Sequence, residues 1–256
     1  MPSLIHPKEK LYFAISVIVS ILIYFLLVLS VIGIFYLIIG ALVGLIVQGL
    51  AVGHLRGNGI RVSEKQFPEV HQLAQEIAAQ MELRIMPPIY IIQSGGVLNA
   101  FAMRFLGRNY VAVYSEILEL AFEQGKDALG FIISHEFAHI KRNHLNWRWV
   151  LLPSTFVPFL SQAYSRACEY SCDLIAAHTQ PAGATAGILV LAAGKKLYLD
   201  VNTEDYLAET TKETGFWIWF SEILSSHPNL PHRIMAINQS TALRTEIRTQ
   251  GINNPV

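Results

Sequence analysis

The chain has 256 residues, no net charge, 15% charged residues and 52% apolar ones. That length suits one or two domains, and the composition is greasy for a protein that lives wholly in water. With a balanced charge there is no global field to gather nucleic acid or acidic partners, so no nucleic acid is expected among its partners.

The apolar excess sits at one end. A short tail, residues 1–10, precedes a run from Leu11 to Val52 that holds no Asp, Glu, Lys, Arg or His. One helix over that run would be about 60 Å long at ~1.5 Å per residue, roughly twice the hydrocarbon thickness of a bilayer. Two spans near 11–30 and 34–52, turning around Ser30 and Gly33, fit better. A cleavable signal has an apolar core of only about 7–15 residues, so the run is too long for one. Lys8 and Lys10 lie before the hairpin, and Arg56, Arg61 and Lys65 after it. A hairpin puts both flanks on one side, and the positive-inside rule makes that side cytoplasmic. The expected localisation is therefore an integral membrane protein with two spans and the remainder of the chain, residues 53 onward, on the cytoplasmic side. Gly40, Gly44, Gly49 and Gly53 have the spacing for close packing of the second span on the first.

Residues 53–66 read as a polar linker, and the rest, 67–250, as one domain. A helix is expected over 67–84, with Val70, Leu73, Ala74, Ile77, Ala78 and Met81 on one face, stopped by Pro87 and Pro88. Strands are expected at 89–93, 97–105 and 110–114, with a turn at Ser94-Gly95-Gly96 and another at Gly107-Arg108-Asn109. They predict a small antiparallel sheet between helices. A helix from near Asp127 is apolar almost all round, the mark of a buried helix. Residues 147–160 are apolar but broken by Pro153 and Pro158, and too short to span. Helices follow at 161–179 and 184–199, then a mixed segment and a last helix from Pro231. Cys168 and Cys172 are four apart on one helix face, poor geometry for a disulfide, and read as two small buried thiols.

The chemistry is concentrated in SHEFAHIKRNH, residues 134–144. On a helix, His135 and His139 lie one turn apart on the same side, so both imidazoles can hold one metal. Glu136 projects beside them, placed to take a proton rather than to ligate. A zinc ion in such a site makes water acidic enough to lose a proton near neutral pH, and Glu136 is the base that receives it. Zinc needs a third ligand. The scheme with a histidine six residues on fails, because Leu145 stands there. The segment SRACEYSCDLIAAH, residues 165–178, offers Glu169 and Asp173 on one face among Ala167, Cys168, Cys172 and Ala176. Small residues allow a close approach to the HExxH helix, with Glu169 as ligand and Asp173 bonded to a ligand histidine. The alternative is a surface pair of Glu169 with Arg166. His144, five past His139, faces away on a continuous helix and reads as solvated. His227, in the loop SSHPNLPHRI, has the chemistry to donate to a developing oxyanion.

These segments together resemble the zinc metallopeptidase family that contains the heat-shock protease HtpX and the type I CAAX prenyl protease. The likeness runs over roughly residues 65–240, through LNAFA (98–102), SHEFAHIKRNH, SRACEYSCD (165–173) and SSHPNLPHRI (225–234). It implies an α+β, mainly helical, zincin-like catalytic domain behind a transmembrane helical hairpin. It implies one zinc per chain on His135, His139 and Glu169, with Glu136 as base and Asp173 behind the ligands. It also implies that Asn99 and its strand line the substrate, that His227 contacts substrate or transition state, and that Arg233 assists. The family's HtpX-type members have further spans between HExxH and the ligand glutamate, for which this chain has no room. The expectation is a membrane-anchored zinc endopeptidase that acts on polypeptides, membrane proteins among them, in quality control. A specific processing protease and a catalytically idle, zinc-stabilised scaffold are the other readings, and the intact Glu136 argues against the scaffold.

Overall fold

The structure, a computed structural model, describes residues 4–93 and 95–252. Ser94, expected in the turn before the second strand, lies outside the described residues. The hairpin is α1 (Pro7–Leu29) and α2 (Val31–Asn58), followed by β1 (Ile60–Arg61), α3 (Pro68–Gln80), β2 (Ile89–Ile92), β3 (Ala100–Phe105) and β4 (Arg108–Tyr114). Then come α4 (Ser115–Gln124), α5 (Asp127–Lys141), α6 (His144–Trp147), α7 (Leu160–Thr179), α8 (Ala184–Leu197), α9 (Thr203–Lys212), α10 (Phe216–Leu224) and α11 (Leu230–Ile252).

The break between the long helices is a single extended residue, Ser30, whose hydroxyl accepts from the Gly33 amide and so caps α2. Both helices are long and apolar enough to cross a membrane, and few of their residues are buried. Length and composition also admit Pro181–Asp200. That stretch, however, is packed into the protein: Gly187 lies under the Phe131 ring, Ile188 and Val190 are buried, and Gly194 breaks it with a φ of 78°.

The sheet runs β1-β2-β4-β3. It is mixed, where an antiparallel sheet is expected. β3 and β4 form an antiparallel hairpin, but β2 pairs parallel to β4, with Ile89 opposite Val111. The reason is that β3 takes the outer edge, so β4 returns beside β2 in the same direction as it. The short β1, missed in the sequence, adds antiparallel to β2. Alternation then divides the faces. Ile89, Ile91, Val111 and Val113 join the main core with α3, α5 and α8, whereas Tyr90, Tyr110 and Ala112 face Val52 and Leu55 of α2. Residues 53–58 are therefore helix seated on the sheet, not linker, because Leu55 continues the apolar face begun by Val52.

The hairpin is docked on the rest of the chain along much of its length. The His6 amide donates to Ser171 Oγ at 2.9 Å, the Phe13 ring meets Trp147 and Tyr164, and the Ser154 amide donates to Ser20 Oγ at 3.2 Å. Tyr24 donates its hydroxyl to the Trp149 carbonyl at 2.6 Å. The apolar segment 147–160 thus lies against α1. The glycines of α2 do not serve the expected contact with α1. A methyl on Gly44 would overlap the Trp149 ring and Gly49 faces Phe105, while Gly40 and Gly53 have open space where a Cβ would be. α10 projects Phe216, Trp217 and Trp219 into the surroundings and is held at its C-terminal end by Arg166, which donates to the Glu222, Ile223 and Ser225 carbonyls.

Candidate metal centre

Helix α5 is buried from Ala128 to Ala138, so its polar side chains are satisfied inside the protein or not at all. Helix α7 crosses it, and the small residues Ala167, Cys168, Cys172 and Ala176 are all buried. Their size lets the backbones come close, which brings Glu169 and Asp173 to the two histidines. Arg166 caps α10 instead, so the surface pair with Glu169 does not form.

His135 Nε2 lies 3.3 Å from Glu169 Oε2, His139 Nε2 lies 3.3 Å from Glu169 Oε1, and the two Nε2 atoms are 3.3 Å apart. Bonds of about 2.0–2.1 Å to the corners of a tetrahedron put neighbouring ligand atoms roughly 3.3–3.4 Å apart. The three side chains outline one face of such a site. Glu169 Oε2 is also buried without a hydrogen bond, as an oxygen reserved for a cation would be. The donor set of two imidazoles and one carboxylate suits zinc.

Behind the ligands the polar atoms are paired. Asp173 Oδ1 is 2.9 Å from His135 Nδ1, and Arg233 donates to both Asp173 oxygens at 2.6 and 2.7 Å. Asp173 therefore accepts the His135 Nδ1 proton and turns Nε2 toward Glu169 and His139. Burial alone would push the His135 pKa down. The Glu169 charge and the Asp173 hydrogen bond reverse this and lift it to about 10. Burial opposes ionisation of Glu169 and Asp173, but His135 holds the first, and Arg233 with His135 the second, below the usual carboxylate range.

Glu136 is outside the ligating cluster and lines a cavity of about 100 Å³ beside it, together with Asn99, His135, Glu169, His227 and Arg233. His227 is exposed in its loop, with Nε2 3.6 Å from Glu169 Oε1. Asn99 directly precedes edge strand β3 and accepts from the Ala100 amide. Arg233 is buried and spends Nε and Nη2 on Asp173. All eight residues singled out in the sequence thus converge on one place.

His144 is a correction. It is half-buried, its side chain turned inward, with Nδ1 3.0 Å from His139 Nδ1 and Nε2 3.2 Å from Glu9 Oε1. The helix ends at Lys141 and Asn143 takes a left-handed φ of 59°, which swings His144 back under His139. Glu9 went unnoticed as well. It sits between Lys8 and Lys10, and no local pattern sets it apart from a solvated flank.

The model of peptidase family M48 matches residues 64–157 and 149–241. No curated protein matches the chain. Among solved structures the chain is similar to the crystal structure of S. mikatae Ste24p, at 13% sequence identity and a TM-score of 0.49, over 80% of this chain. The chain spans 57% of the length of that structure.

Proposed function

This chain belongs to peptidase family M48, and from that premise we propose that it is a zinc-dependent endopeptidase. Its hairpin, residues 11–52, anchors a catalytic domain, residues 67–250, on the cytoplasmic face of a membrane. The observation that carries this reading is the convergence of His135, His139 and Glu169 at tetrahedral spacing, with Glu136 beside them but not among them.

Zinc bound by those three side chains supplies a Lewis acid that polarises a peptide carbonyl and lowers the pKa of water. Glu136 accepts the proton of the attacking water at its carboxylate and delivers it to the leaving amine. The substrate lies extended along β3, whose outer edge is open to an added strand, with Asn99 at its start. His227 donates from Nε2 to the carbonyl oxygen as charge develops there. Asp173, clamped by Arg233, keeps His135 in its ligating tautomer. Docking of the domain on its own membrane helices, through Tyr24 and Ser20, favours substrates that are themselves membrane-bound, and so a role in membrane-protein quality control.

The test is zinc stoichiometry beside cleavage of an unfolded membrane protein by the purified full chain. The expected result is one zinc per chain, with cleavage lost to a chelator and restored by zinc. Less than about half an equivalent after gentle loading contradicts the site.

A further inference from the structure

We propose that Glu9, on the first membrane helix, is a positioning residue of the metal centre. Acting through His144, it fixes His139 in the tautomer that presents Nε2 to the metal. The inference rests on the reading of His139 as a zinc ligand.

The argument is a count of donors and acceptors. Glu9 is 4% exposed, and its Oε1 receives Arg142 Nη2 at 2.7 Å. Paired with a guanidinium, it is a carboxylate and can only accept. His144 Nε2, 3.2 Å from that same oxygen, therefore carries a hydrogen. A neutral imidazole has one N–H, so His144 Nδ1 is an acceptor. It stands 3.0 Å from His139 Nδ1, which must then be the donor. That leaves the lone pair of His139 on Nε2, the atom that faces Glu169 and His135. Were His144 cationic, its Nδ1–H would point at His139 Nδ1 and push the His139 hydrogen onto Nε2, where it would block the metal. With His139 as a ligand through Nε2, His144 is therefore the neutral tautomer.

The two ligand histidines are thus set by separate carboxylates. Asp173 sets His135 from within the catalytic domain, and Glu9 sets His139 from the membrane hairpin. The hairpin is part of the metal site as well as an anchor.

The experiment measures zinc affinity by chelator competition, and the visible absorption of the cobalt-loaded protein, on the full chain in detergent. Glu9→Gln keeps the shape, but its amide can either donate or accept, so both tautomers of His144 become tolerable. Affinity should fall about 10–100-fold, the usual cost of losing a partner behind a metal ligand, and the cobalt bands should shift. His144→Phe should fall in the same range. The double variant should be no worse than the weaker single one, because both act through one chain of bonds. Phe13→Leu loosens the same face of α1 against Trp147 and Tyr164 without touching the relay, and should leave affinity and spectrum unchanged. Unaltered zinc binding by Glu9→Gln, additive losses in the double variant, or an equal loss in Phe13→Leu would overturn the proposal. Should Glu9→Gln not fold, His144→Phe against Phe13→Leu makes the same decision. A wild-type chain that takes up no zinc is a different result, because it overturns the metal reading itself.

Discussion

His135 is boxed between carboxylates, with Asp173 at Nδ1 and Glu169 at Nε2. Without a metal this box favours the imidazolium, and the pKa of about 10 stands above the ~6.5 of an unfolded chain. The sign follows. Stabilisation of the metal-free protein by charged His135 is fully present below about pH 6.5 and is lost as pH rises through about 10. Zinc requires the Nε2 lone pair, so binding expels that proton, and affinity should climb with pH up to about pH 10. Calorimetry at pH 8 in buffers of different ionisation enthalpy should show about one proton released per zinc bound. Release of none would mean that His135 is neutral before the metal arrives. The same box explains why Arg233 is buried. Two carboxylates facing one imidazole need a second cation nearby, and its Nη2 lies 2.6 Å from Asp173 and 3.8 Å from Glu169.

Helices were legible in the sequence where their buried face was periodic or continuous. α3, α5 and α7 bury the residues their spacing picks out, and the approach of α7 to α5 follows from its small residues. Elements that depend on distant partners were not legible. β1 is two residues long and exists only because β2 lies beside it. The parallel pairing of β2 with β4 is a fact of chain path, invisible to alternation. α9 and α10 bury no residue, and α10 is held at its end by Arg166 from α7, so the sequence reads there only as a mixed segment. The meeting of His135 and His139 with Glu169 was legible, because four-residue spacing fixes a shared helix face. The partners behind His139 were not. A left-handed Asn143 redirects His144, and Glu9 arrives from 135 residues away.

At the scale of the whole molecule, the hairpin and the rest of the chain share surfaces from Glu9 to Tyr24 and from Gly44 to Leu55. Lys8 and Lys10 at the start of α1, and Arg56 at the end of α2, lie at the same end of the hairpin and favour the cytoplasmic side. Reporter fusions ahead of the first span and after the catalytic domain should both signal from the cytoplasm. Opposite signals would mean that only one of the two helices spans. The central claim, a zinc endopeptidase with Glu136 as its base, is tested most directly by zinc content and peptide cleavage of Glu136→Gln and Glu169→Gln side by side. The amide at 136 is near-isosteric but cannot take a proton from water. That variant should keep its zinc and lose at least about 10²–10⁴-fold in rate, whereas Glu169→Gln should lose zinc and activity together. Cleavage by Glu136→Gln at close to the wild-type rate would contradict the account.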